Sequence, residues 1–129
     1  MAKYDVGYLS YSIVRTQTLP FKAHVSLTLD DVGKAVALTD DYQVGLGSSG
    51  DPLIGKLVYL ENDGVCTVEV GPTLVLSGVS GAMPNEKDLV VVDGEGCVIA
   101  ATSAHAGYAG PRRMVLGVDA TTYNVVVLM

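Results

Sequence analysis

The 129-residue chain has no tryptophan, one phenylalanine, two cysteines and two histidines, and each scarcity removes a class of explanation. Without large rings the interior must be filled by Val, Leu, Ile, Ala and Met, and branched aliphatics suit pleated sheets better than helices. Cys66 and Cys97 lie far apart with no CxxC spacing, so they read as two small buried hydrophobes rather than a disulfide. His24 and His105 have no HxxxH or HExxH companion, and neither Asp30-Asp31 nor Asp40-Asp41 reproduces a calcium loop, so no metal site is expected. Cations are scarce too. Eight Lys and Arg against 14 Asp and Glu leave a net charge of −6, unfavourable for contact with nucleic acid or an anionic membrane. No apolar run approaches the roughly 18 residues of a membrane span, and Met1–Ser12 lacks the regions of a secretion signal. The expectation is a chain made in the cytoplasm, with neither membrane nor nucleic acid as partner.

What the chain does have is hairpin grammar. Leu53–Leu60 is rich in Leu, Ile, Val and Tyr, Glu61-Asn62-Asp63-Gly64 supplies turn residues, and Val65–Val70 alternates apolar residues with Thr67 and Glu69. The pattern returns in Leu89–Ala101 around Asp93-Gly94-Glu95-Gly96, and in Met114–Leu128 around Asp119-Ala120-Thr121-Thr122. Short strands are also expected at Ala35–Leu38, Tyr42–Leu46 and Thr73–Leu76, and the alternation of Ala23, Val25 and Leu27 reads as another. Thr28-Leu29-Asp30-Asp31 reads as a cap for a brief helical turn, which Gly33 limits to about one turn. Ser77–Asp88 and Ser103–Arg112, with their glycines and prolines, are loops. The implied fold class is all-β: a compact small barrel or sandwich of short antiparallel hairpins over residues 23–129, preceded by an extended N-terminal arm over residues 1–22.

The arm gathers Tyr4, Tyr8, Tyr11 and Phe21, half of the chain's aromatics, together with Ile13. Gly7, two serines and the β-branched Ile13-Val14 argue against a helix there. Aromatics in such a segment either dock onto another surface or fold back as an edge strand of their own domain, and both readings stay open. Arg112-Arg113 is the one paired cation; it reads as an exposed surface pair or as a partner for a neighbouring subunit's carboxylates. Tyr4, Tyr8, Tyr11, Ile13, Phe21, Arg112 and Arg113 are therefore the candidate interface residues.

Two glycine motifs imitate nucleotide sites. Gly45-Leu46-Gly47-Ser48-Ser49-Gly50 satisfies GxGxxG, but Asp51-Pro52 and a strand stand where a helix should begin. Gly50–Leu57 falls one residue short of a phosphate loop, with Leu57 where a hydroxyl should meet Mg²⁺, and it too continues as a strand. Ser80, in Gly78-Val79-Ser80-Gly81, lacks the spacing of a nucleophile elbow. Catalytic residues, cofactors and metals are accordingly not expected.

The ordered set Gly33–Leu38, Asp51–Leu57, Val65–Gly71, Asp93–Ala101, Val115–Asp119 and Val125–Leu128 resembles the head-decoration, or capsid cement, proteins of tailed bacteriophages, over roughly residues 30 to 129. The resemblance implies a non-enzymatic, mainly β structural protein that binds the outside of a phage head as homotrimers, with the major capsid protein as partner and the virion exterior as its location. A small β-barrel ligand-binding or carrier domain, or another minor β-rich virion component, is the alternative. A lipoyl-type carrier would present a lysine at a hairpin tip, and none of the three hairpins does.

Overall fold

The computed structural model describes residues 17–105, 108 and 113–129. Ten strands account for about half of them: β1 (Gln17–Ala23), β2 (Ala35–Asp40), β3 (Gln43–Gly45), β4 (Leu53–Leu60), β5 (Val65–Gly71), β6 (Thr73–Ser77), β7 (Val90–Val92), β8 (Val98–Ala100), β9 (Met114–Asp119) and β10 (Asn124–Leu128). The all-β expectation holds, and all three hairpins form where their turn residues place them, as β4–β5, β7–β8 and β9–β10.

Strands β1, β3, β2, β4 and β5 close into a five-stranded barrel. Its interior is small and aliphatic, with Val36, Val44, Leu57, Cys66 and Val68 fully buried and Phe21, Leu46 and Leu60 packed around them. Closure rests on β1, which runs antiparallel to β5 over most of its length but meets β3 only at Lys22 and Ala23. Pro20 stands where β1 has a single strand neighbour, a position that tolerates a missing N–H. The boundary expected after residue 22 thus falls inside a barrel strand: 17–22 belong to the domain, and the remainder of the expected arm lies outside the described residues.

The second unit is a sheet ordered β6-β10-β9 with the β7–β8 hairpin against it. Isolated bridges Leu89↔Met114 and Gly78↔Val98 join that hairpin to β9 and to the end of β6. The bonds Val90 N–H to Arg113 O (2.9 Å) and Val115 N–H to Asp88 O (2.8 Å) extend the first of these joins. The result is an almost closed ring around Leu74, Leu76, Val90, Val92, Val98, Val115, Val125 and Val127. Few strand edges remain unpaired among the described residues, which protects a β-rich chain from edge-to-edge association.

Strands β2 and β4 are the wall between the two cores. Along Ala35-Val36-Ala37 all three residues are fully buried, because Val36 faces the barrel while Ala35 and Ala37 face the second core with Leu53. A strand covered on both faces reads as a continuous apolar run rather than an alternation.

One strand expected near residues 23–27 is not there. β1 ends at Ala23, and the chain turns because the His24 imidazole Nδ1 accepts the Ser26 N–H at 3.1 Å. That leaves Val25 exposed while Leu27 returns to the barrel core. The expected helical turn forms as a 3-10 turn at Leu29–Asp31, and Gly33, at φ +96°, ends it.

Gly55, in the middle of β4, has no room for a Cβ, which would collide with the Glu69 carbonyl oxygen and the Val68 side chain. Gly117 in β9 faces open space and has no positive φ. Gly55→Ala is therefore expected to lower stability by about 1–3 kcal/mol through overpacking, whereas Gly117→Ala should be close to neutral. Urea unfolding midpoints at unchanged m value check the pair.

Candidate functional site

The glycine-rich loop Gly45–Gly50 leaves β3 and runs to β4, and its glycines are explained by crowding. A Cβ on Gly45 would press on His24 and Thr39, one on Gly47 on Ala37, and one on Gly50 on the His105 ring at 2.8 Å. Gly47 and Gly50 also hold φ of +71° and +96°, where a side chain is strained. Three amides of this stretch are engaged within the protein: Gly50 N–H donates to Val92 O (2.9 Å), Asp51 N–H to Ser48 O (3.0 Å), and Ser48 N–H to the Asp51 carboxylate (2.9 Å). Both nucleotide-like motifs are thus a packing joint between the barrel and the β7–β8 turn.

Beside that joint lies an open groove of about 470 Å³ lined by residues that include His24, Ser26, Thr39, Ser48 and Asp51. His24 Nδ1 receives the Ser26 hydroxyl at 2.7 Å as well as its N–H, so the imidazole proton belongs on Nε2. Both bonds are local and exposed, spanning two residues, and they fix a turn. His105 does the same in its own loop, its Nδ1 accepting the Thr102 N–H at 3.0 Å. Among the described residues, no three His, Cys, Asp or Glu side chains gather closely enough to hold a metal ion, and no helix is long and apolar enough to cross a membrane.

The chain's acidity has a structural use at its turns. Carboxylates of Asp31, Asp40, Asp51, Asp63, Asp88, Asp93 and Asp119 each accept a nearby backbone N–H at 2.8–3.1 Å. These are the bonds by which aspartate shapes turns. Asp31 does most. It is buried, accepts the Thr28 N–H at 2.9 Å on one oxygen and pairs with Lys34 Nζ at 2.9 Å through the other. The Lys34 and Thr28 hydrogen bonds hold its carboxyl below the usual carboxylate range against the opposing effect of burial. The turn so fixed is tied to β4 by Gly33 N–H to Leu57 O (2.6 Å) and to the β7–β8 turn by Ala35 N–H to Gly96 O (2.9 Å).

Of the candidate interface residues, Phe21 and Arg113 are described, while Tyr4, Tyr8, Tyr11, Ile13 and Arg112 lie outside the described residues. Phe21 is half-buried at the barrel end, its ring 5.3 Å from that of Tyr42. Arg113 is half-buried where the two units meet, its Nε donating to Leu53 O at 3.4 Å, and burial lowers its pKa. Arg113 thus touches the second nucleotide-like motif through Leu53 O, while Phe21 stands at the barrel end with Tyr42.

Two apolar surfaces carry more weight than any polar cluster, and of their residues only Phe21 is among the candidates expected from sequence. On the outward face of the β6-β10-β9 sheet, Val75 lies opposite Val126 and Leu128 comes next on the same side of β10; Leu116 is exposed at the β9 bulge. The cleft at the barrel end, about 250 Å³, is lined by Pro20, Phe21, Lys22, Tyr42 and Val65. Alternation that is apolar on both faces is the available signal for the first; the second is assembled from segments distant in sequence, of which the aromatic clustering flags Phe21 alone. A comparison with protein-family models finds no match for the chain, and neither does a comparison with curated proteins.

Two measurements test this electrostatic picture. Asp31→Ala should cost about 1–2 kcal/mol at neutral pH, the range for a cap with a charge-assisted bond. Because the folded-state pKa is depressed, that advantage is present above the unfolded value of about 3.9 and is lost as pH falls through the folded one; urea melts of both proteins against pH check it. Burial raises the pKa of both thiols, and Asp93 adds to the effect at Cys97. Both should react slowly with a disulfide reagent in the native protein and rapidly in denaturant.

Proposed function

We propose that the protein is a non-enzymatic structural protein that attaches to the outer surface of a phage head and reinforces it, as homotrimers contacting the major capsid protein. The observation that carries this reading is the second apolar face of the β6-β10-β9 sheet. One face of that sheet already closes the second core through Leu74, Leu76, Val125 and Val127, yet the other exposes Val75, Leu116 and Leu128. A sheet packed on one side usually alternates with polar residues on the other, so aliphatics on both sides fit association. The ordered resemblance to decoration proteins supplies the partner, and the all-β fold is of the kind that resemblance implies. Attachment gains from multivalency, since three modest contacts made together hold far more tightly than one.

The head-binding segment in this reading includes Tyr4, Tyr8, Tyr11 and Ile13, upstream of β1. Removal of residues 2 to 14 leaves every barrel strand among the described residues intact, since the first of them begins at Gln17. The truncated chain is expected to unfold at nearly the full-length temperature while binding expanded heads more weakly. Native mass spectrometry of the free protein and imaging of decorated heads should show trimers, and Leu116→Lys should weaken the trimer without unfolding the subunit. A monomer in solution and on heads removes the trimer; absence of head binding by the full-length chain removes the attachment function.

A further inference from the structure

Two hairpin turns hold tyrosine where the backbone favours glycine. Tyr42, in the β2–β3 turn, has φ +53°, and Tyr123, in the β9–β10 turn, has φ +60°, whereas the β4–β5 and β7–β8 turns use Gly64, Gly94 and Gly96 at positive φ. A bulky side chain is unfavourable in this region, and such residues persist where they serve another purpose. At Tyr42 the surroundings indicate one. The residue is 61% exposed, yet its ring stands beside Phe21 and forms the wall of the apolar cleft with Pro20 and Val65.

The cleft is framed by acid. Successive amides at the end of β1 bind the two flanking turns, Lys22 N–H donating to Tyr42 O and Ala23 N–H to Gly64 O, both at 2.8 Å. The first turn carries exposed Asp40 and Asp41, the second exposed Glu61 and Asp63, and Lys22 is the one cation among the cleft's lining residues. An aromatic cleft between two acidic turns is complementary to an apolar side chain flanked by positive charge. We infer that the barrel-end cleft is a peptide-docking subsite that takes a large apolar residue next to Lys or Arg in an extended segment of the partner protein. Tyr42 supplies a ring over the apolar side chain, and the paired turns steer the basic neighbours. The inference rests on the attachment reading only for the identity of the partner, the shell protein; the cleft's own chemistry is testable without heads.

The test is selection of a random dodecapeptide library on the immobilised full-length protein, followed by fluorescence anisotropy with the consensus peptide. An apolar residue beside Lys or Arg should be enriched. Tyr42→Gly should weaken the consensus peptide at least about tenfold, in the range of a recognition hot spot, with its melting temperature unchanged or higher because the turn is relieved. The variant Asp40→Asn/Asp41→Asn/Asp63→Asn should lose most of the salt dependence of binding. Failure to enrich, a consensus without basic residues, or equal binding to Tyr42→Gly would overturn the inference. So would a clear fall in the Tyr42→Gly melting temperature, which would make the ring a packing element.

Discussion

The structure depends on a wall two strands wide. β2 and β4 are sealed on both faces where the cores meet, so residues there must satisfy two cores at once, and small size is what permits it. Ala35 and Ala37 hold the second core close to the sheet, while Gly55 lets β4 pass against the Glu69 backbone of β5. Full burial of a Val or Leu contributes about 1.5–3 kcal/mol, and here both cores draw that contribution through one shared layer. Neither unit would have two covered faces alone, which makes the barrel and the second ring mutually dependent despite their separate hydrogen-bonding patterns.

Around this wall the polar groups are arranged to close turns. Asp31 and Lys34 bind one turn that touches both β4 and the β7–β8 hairpin, and the Gly45–Gly50 loop wedges between the barrel and the same hairpin. The interactions are short in sequence but join elements far apart in it. An acidic chain is thereby held together by local carboxylate-to-amide bonds, with one ion pair of modest screened strength added at Lys34.

Hairpins were legible because their information is local: Asn62-Asp63-Gly64 and Asp93-Gly94 state the turn, and the flanking aliphatics state the strands. The Thr28–Asp31 cap was legible for the same reason. The segment 17–22 was harder, because β1 has no hairpin partner next to it; its neighbour β5 begins more than forty residues later, at Val65. Val25 misled the alternation at 23–27, since a bond from the Ser26 amide to the His24 ring turns the chain before the pattern completes. The strand after each glycine motif was legible in the sequence, but the crowding of those glycines against His24, Ala37 and His105 lies in tertiary structure alone.

The distribution of side chains also bears on where function can sit. The interior is filled by Val, Leu and Ala in two small cores, and many of the described aspartates close turns, so the exposed Val, Leu and Tyr side chains stand out as surface with no role in either core. Tyrosines at positive φ sharpen that contrast. Glycine would make the Tyr42 turn easier, as it does at Gly64, and Phe21 rather than Tyr42 packs against the barrel core. A ring retained at a strained position, mostly in solvent and between two acidic turns, has its value outside the fold, on whatever surface the barrel end meets.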